Sequence, residues 1–130
     1  MAKTLALLGL CAVAACDKPA PRASVPGQVA RATVDAAMTT YATCVYNRAK
    51  QLAVPARLPA DIVDEAVKAC APGRADLVAR VAAFQKIGSP KSTPAYTAAV
   101  AEQSVAAMED EMRAEATTTA VSRQNEINVQ

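Results

Sequence analysis

The chain has no histidine and no tryptophan. Without histidine it lacks the commonest general base and metal ligand, and a Ser-His nucleophile pair is impossible. Aromatic residues are 3% of the chain, and Tyr41, Tyr46 and Tyr96 are too dispersed for a base-stacking platform. Only four glycines are present, and none forms a phosphate-cradling loop. Fourteen basic and twelve acidic residues are interspersed along the sequence for a net charge of +2. A nucleic-acid binder would show a basic stripe instead, so nucleic acid is not an expected partner. The longest apolar run, residues 5–15, has 11 residues, well short of the roughly 20 that span a hydrocarbon core.

What the chain has in quantity is alanine, which dominates a hydrophobic fraction of 52%. Alanine loses no side-chain entropy in a helix and is the best helix former. Each buried methyl stabilises little, however, so slender helices with narrow contacts are expected. At 130 residues the length suits one small domain with a modest core.

The first residues look like an export signal. Residues 1–4 carry one positive charge, Lys3, and the apolar run follows, the proportions of a signal peptide. The run ends Val13-Ala14-Ala15-Cys16. This resembles the lipobox of bacterial lipoproteins, an aliphatic residue and two small ones before the cysteine that becomes the mature N-terminus. The resemblance covers about 17 residues. It implies that Cys16 receives lipid, that residues 1–15 are removed, and that the mature protein is held by its lipid on the periplasmic side of a membrane. In enteric members of that family an aspartate after the cysteine retains the protein in the inner membrane, and Asp17 stands there. Ala12-Val13-Ala14 also fits the A-x-A rule of the ordinary signal peptidase. That cleavage would release a soluble secreted protein with three cysteines, Cys16, Cys44 and Cys70, and one stray thiol. Lipidation of Cys16 leaves Cys44 and Cys70 as a pair, which favours the lipoprotein.

Residues 17–27 contain Pro19, Pro21 and Pro26 and read as a tether of polyproline character. A helical domain over residues 28–123 and a polar, fraying tail over 124–130 follow. Helix one is predicted over 28–53, with Val34, Met38, Tyr41, Val45 and Leu52 as its apolar stripe, ended by Val54-Pro55. Pro59 and Asp61 start helix two. Its apolar face is Ile62, Val63, Ala66, Val67 and Cys70, and Asp64 and Lys68 are paired one turn apart. Pro72-Gly73 interrupts the chain. Helix three runs to Ile87 with Leu77, Val81 and Phe84 as its stripe, Asp76 and Arg80 as a surface pair, and Gly88 as a C-terminal stop. Thr93-Pro94 caps helix four, predicted to reach Arg123. The expected fold is all-α, a bundle of about four helices.

Cys44 lies about nine residues before the end of helix one and Cys70 about eleven after the start of helix two. At 1.5 Å per residue both sit ~13–16 Å from the connecting turn, nearly level in an antiparallel hairpin. In an oxidising periplasm they are expected to form a disulfide between helices one and two. Two buried free thiols are the alternative.

Chemistry is sparse. Glu109, Asp110, Glu111 and Glu115 cluster on helix four, but carboxylates on a single helix mostly diverge, and hard cations need ligands converging from several directions. Glu109 is also placed to pair with Arg113. Met108 and Met112 are thioethers of the kind that bind Cu(I), though at this spacing methionine is more often core filling. No cofactor, metal or catalytic group is expected. Because helix four looks longer than its neighbours, Val105, Met108 and Met112 are expected to leave an apolar face free for an envelope protein or a second copy. The sequence thus points to a non-catalytic, membrane-anchored interaction or accessory module. A periplasmic small-ligand or metal-binding lipoprotein is the other reading, with Met108, Met112 and the acidic cluster as its candidates.

Overall fold

The computed structural model describes residues 24–130, and these form four helices with no strand among them. They are α1 (Val25–Leu52), α2 (Pro59–Ala69), α3 (Ala71–Gly88) and α4 (Pro94–Asn128). The expected all-α architecture is present, and Cys44 is bonded to Cys70 with the Cα atoms 6.1 Å apart. The leader, Cys16 and residues 17–23 of the tether lie outside the described residues.

The four helices lie as three rods. The chain turns back after α1, and the Cys44–Cys70 bond sets α2 antiparallel to it. A continuous helix would then drive the ring of Pro72 into the carbonyl of residue 68. The helix therefore breaks at Cys70 (φ −98°, ψ 14°), which closes α2 and opens α3. Beyond the break α3 keeps the same sense along α1. Gly73 lies against Tyr41, so close that a Cβ there would stand 3.4 Å from the ring. Farther on, Val81 and Phe84 share a groove with Arg31 and Val34. α4 returns parallel to α1, its Glu115 level with Tyr46 and its Gln124 level with Val54. At 1.5 Å per residue α1 is ~42 Å long and α4 ~52 Å.

The core uses more alanine than the large residues suggest. α1 buries Ala37, Tyr41, Val45 and Ala49, spaced by fours, while Val34, Met38 and Leu52 of the expected stripe pack half-buried at its margins. α2 buries Ile62, Val63, Ala66 and Val67, as expected. α3 contributes Leu77 and Val81. α4 adds Ala101, Val105, Met112, Ala116 and Ala120. Small residues recurring every four positions form the ridges that pack into a neighbour's grooves, and they let the helices approach closely. The one buried polar residue in this core, Thr97, returns its hydroxyl to the Thr93 carbonyl at 3.0 Å.

Three boundaries differ from expectation. α1 begins at Val25, because the Ser24 hydroxyl accepts from the Gly27 amide and Pro26 is harmless in a first turn. Gly88 is the last helical residue of α3 and not a left-handed stop: no glycine among the described residues has positive φ, and the chain leaves the helix at Ser89 (φ −135°). α4 runs on to Asn128 through the segment expected to fray. There the Gln124 amide donates to the carbonyls of both Val54 and Arg57 at 2.8 Å. These flank Ala56, whose φ of 67° makes it the left-handed residue of the α1–α2 turn, so the end of α4 ties down a strained turn.

The disulfide spans 26 positions of sequence. In the chain-entropy model such a closure stabilises by about 3–4 kcal/mol. Replacing Cys44 and Cys70 together by serine is expected to lower Tm by roughly 10–20 °C, read by circular dichroism. Equal melting of oxidised wild type and the double variant would show that the bond staples nothing.

Candidate functional site

Ionisable side chains gather where α2, α3 and α4 meet above Tyr41 of α1. Glu109 is the centre, its side chain only 12% exposed. One carboxylate oxygen accepts from Arg74 Nε at 2.8 Å and the other from Arg113 Nε at 3.2 Å. Each arginine then reaches outward, Arg74 to Glu102 at 3.0 Å and Arg113 to Asp64 at 2.6 Å. Asp64 thus pairs with Arg113 across the helix interface and not with Lys68 on its own helix. The longer, forked guanidinium spans the gap and keeps several donors. Asp76 and Arg80 pair as expected. At the α1–α2 turn Arg57 pairs with Glu65, which holds that carboxyl below its usual range chiefly through the guanidinium hydrogen bond.

Beneath Glu109 lies Tyr41, 1% exposed. Its hydroxyl faces the carboxylate but reaches no partner at hydrogen-bonding geometry. Burial, and then the negative charge of Glu109, raise its pKa. Five residues farther along α1, the Tyr46 hydroxyl donates to Glu115. Burial first, then that hydrogen bond and the Glu115 charge, push Tyr46 up to about 12.

The sequence-predicted residues fall as follows. Cys44 and Cys70 are joined, Cys70 buried and Cys44 toward solvent. The contact surface expected on helix four is overturned: Val105 is 0% and Met112 2% exposed, because the face that looked surplus is covered by α1 on one side and by the α2–α3 arm on the other. Met108 is half-buried, lining a groove of about 290 Å³ between α1, α3 and α4 with Val34, Val81 and Phe84. The acidic cluster is dispersed. Glu109 is consumed by two arginines and Glu115 by Tyr46, while Asp110 and Glu111 point to solvent. Among the described residues no three His, Cys, Asp or Glu side chains stand close enough to hold a metal, and the methionines lie in or beside the apolar core. Sequence reasoning missed Arg74 and Glu102. One signal was available: Glu102, Glu109 and Arg113 recur at spacings of seven and four, a charged line along one face of α4.

No protein-family model, curated protein or solved structure matches the chain.

Two outcomes test this arrangement. Glu109→Gln removes the carboxylate that joins the two arginines and leaves each with only its outward partner, Glu102 or Asp64. Tm is expected to fall by several degrees, and an unchanged value would mean the network is ornamental. Tyr46 binds its proton more tightly folded than unfolded, so its stabilisation is complete below about pH 10 and disappears as pH rises toward about 12. Tyr46→Phe is therefore expected to flatten the loss of stability across that alkaline range, measured by denaturant melts at stepped pH. An unaltered slope would refute the coupling.

Proposed function

We propose that this protein is a non-catalytic cell-envelope lipoprotein, a stiff helical module held to a membrane through lipid on Cys16. The observation that carries this reading is the cysteine pairing. Cys44 and Cys70 are bonded to each other, so beyond residue 15 only Cys16 remains, and it is the residue that the lipobox-like Val13-Ala14-Ala15-Cys16 designates for lipid. A disulfide also suits an exported protein, since reducing compartments disfavour one.

The geometry of the domain supports the non-catalytic part. Glu109 is engaged with two arginines and Tyr46 with Glu115. The surface carries shallow grooves, and the chain has no histidine. No helix among the described residues is long and apolar enough to cross a membrane, so attachment in this reading rests on the lipid. Because α1 starts at Val25, the tether is residues 17–24. Eight residues reach at most ~28 Å, less than the length of the bundle. The module therefore stands close to its membrane and acts as an accessory or interaction element there.

Intact mass of protein extracted from membranes, alkylated with and without prior reduction, tests this directly. The expected mass begins at Cys16 and includes acyl chains, and two alkylatable thiols appear only after reduction. A lipid-free chain beginning at Ala15 would replace the reading with a soluble secreted protein whose Cys16 is unpaired.

A further inference from the structure

One end of the bundle differs chemically from the rest. It is formed by the start of α1, the end of α3, the α3–α4 loop and the start of α4. Residues 24–34 and 81–101 contribute three basic side chains, Arg31, Lys86 and Lys91, and no acidic one. Across residues 24–130 eleven basic and eleven acidic residues balance. The remainder of the domain is therefore net negative by three charges, and the bundle is electrically polar along its axis. None of the three forms a salt bridge among the described residues, and all are exposed. Lys86 donates to the Ser92 carbonyl, which leaves its charge unneutralised. The nearest carboxylates in sequence, Asp35 and Glu102, begin where the end gives way to the body.

The same end exposes four large apolar side chains. Val25, Val29 and Tyr96 are 73%, 61% and 62% exposed, and Ile87 is 42% exposed. Isolated exposed valines are ordinary. The opposite end also exposes Val54, Leu58, Val121 and Val129, but there the basic side chains Arg57 and Arg123 are paired with carboxylates. Exposed apolar side chains and an amphipathic tyrosine that share one end with unpaired cations make the composition that settles at an anionic lipid interface. This is also the end where residues 17–23 join the domain at Ser24.

We propose that this end docks on a bilayer surface carrying anionic phospholipid headgroups, with Arg31, Lys86 and Lys91 against the phosphates and Val25, Val29, Ile87 and Tyr96 at the acyl boundary. The inference rests on the anchored reading only for which membrane lies nearby. Its consequence is orientation: the rod stands on its basic end and holds the acidic body and the α1–α2 turn away from the surface.

The chain's lack of tryptophan gives a clean probe. Tyr96→Trp in the mature protein supplies a single reporter at this end, and Leu58→Trp supplies one at the opposite end, where Leu58 is 67% exposed. Each is mixed with vesicles of equal parts phosphatidylglycerol and phosphatidylcholine, and with phosphatidylcholine vesicles. Emission at position 96 is expected to shift to the blue and to be quenched by brominated lipid on the anionic vesicles. Position 58 is expected to stay solvent-like. Adding Arg31→Glu and Lys91→Glu, both at exposed positions, is expected to cut the contacting fraction roughly tenfold or more, with circular dichroism confirming the fold. Identical emission at position 96 on both vesicle types and in buffer would overturn the proposal. So would a shift at position 58 instead, or a vesicle-free shift that grows with protein concentration, which would assign the face to a second copy. The anchor is read separately, by flotation on phosphatidylcholine vesicles after a high-salt wash. Flotation without a shift at position 96 removes the docking face and keeps the anchor. A shift without salt-resistant flotation does the reverse.

Discussion

Pro72 cannot stand inside a continuous helix, and the rest of the architecture follows from where the chain accommodates it. The arm that returns along α1 would otherwise run unbroken from Pro59 to Gly88. The break falls at Cys70, and Cys70 is the residue bonded to Cys44. A break in a helix is a natural place for slack, because two short helices joined by one residue can change their mutual angle at little local cost. Pinning that residue to the middle of α1 removes the slack. It fixes α2 over the second half of α1 and α3 over the first half, and α4 then covers the seam left between α1 and the arm.

The need for such a pin comes from the composition of the core. Ala37, Ala49, Ala66, Ala101, Ala116 and Ala120 are buried, and alanine methyls give close approach with little apolar area. Tyr41, Ile62 and Leu77 supply much of the bulk. A core this thin gains proportionally more from cross-links, whether covalent or ionic. The Glu109 network performs the ionic part by joining α2, α3 and α4 through Arg74 and Arg113. Such a network is costly to leave half-made, because a part-buried charge that loses its partner keeps its desolvation penalty.

Much of this was legible in the sequence because it depends on local chemistry. Pro59, Pro72 and Thr93-Pro94 mark helix starts, and the face of α2 reads directly from Ile62, Val63, Ala66 and Val67. The level placement of Cys44 and Cys70 follows from counting residues to one turn. What was not legible depends on partners far away in the chain. The core stripe of α1 was misjudged because Ala37 and Ala49 look neutral in sequence, and only close approach by the α2–α3 arm and α4 makes them interior. Val105 and Met112 looked like surplus surface because helix four is longer than α2 or α3 taken singly, whereas those two helices form one arm that runs along it. The continuation of α4 past Arg123 is set by Gln124 reaching carbonyls about 70 residues earlier. In the network, Arg74 and Glu109 are 35 residues apart. No periodicity carries such distances.

The same parallel and antiparallel arrangement distributes charge along the rod. α1 and α4 both begin at one end, and their first turns hold no carboxylate, so Arg31, Lys86 and Lys91 collect there without counter-charges. Carboxylates concentrate farther along, Asp61, Asp64 and Glu65 in α2 and Glu102 to Glu126 in α4, where they outnumber the basic residues interleaved with them. This segregation is invisible in the net charge, which is zero over the described residues. It appears only when the direction of each helix is known. The described chain enters the bundle at this same end, at Ser24. Topology thereby gives a sequence of mixed charge a domain with one end free of carboxylates.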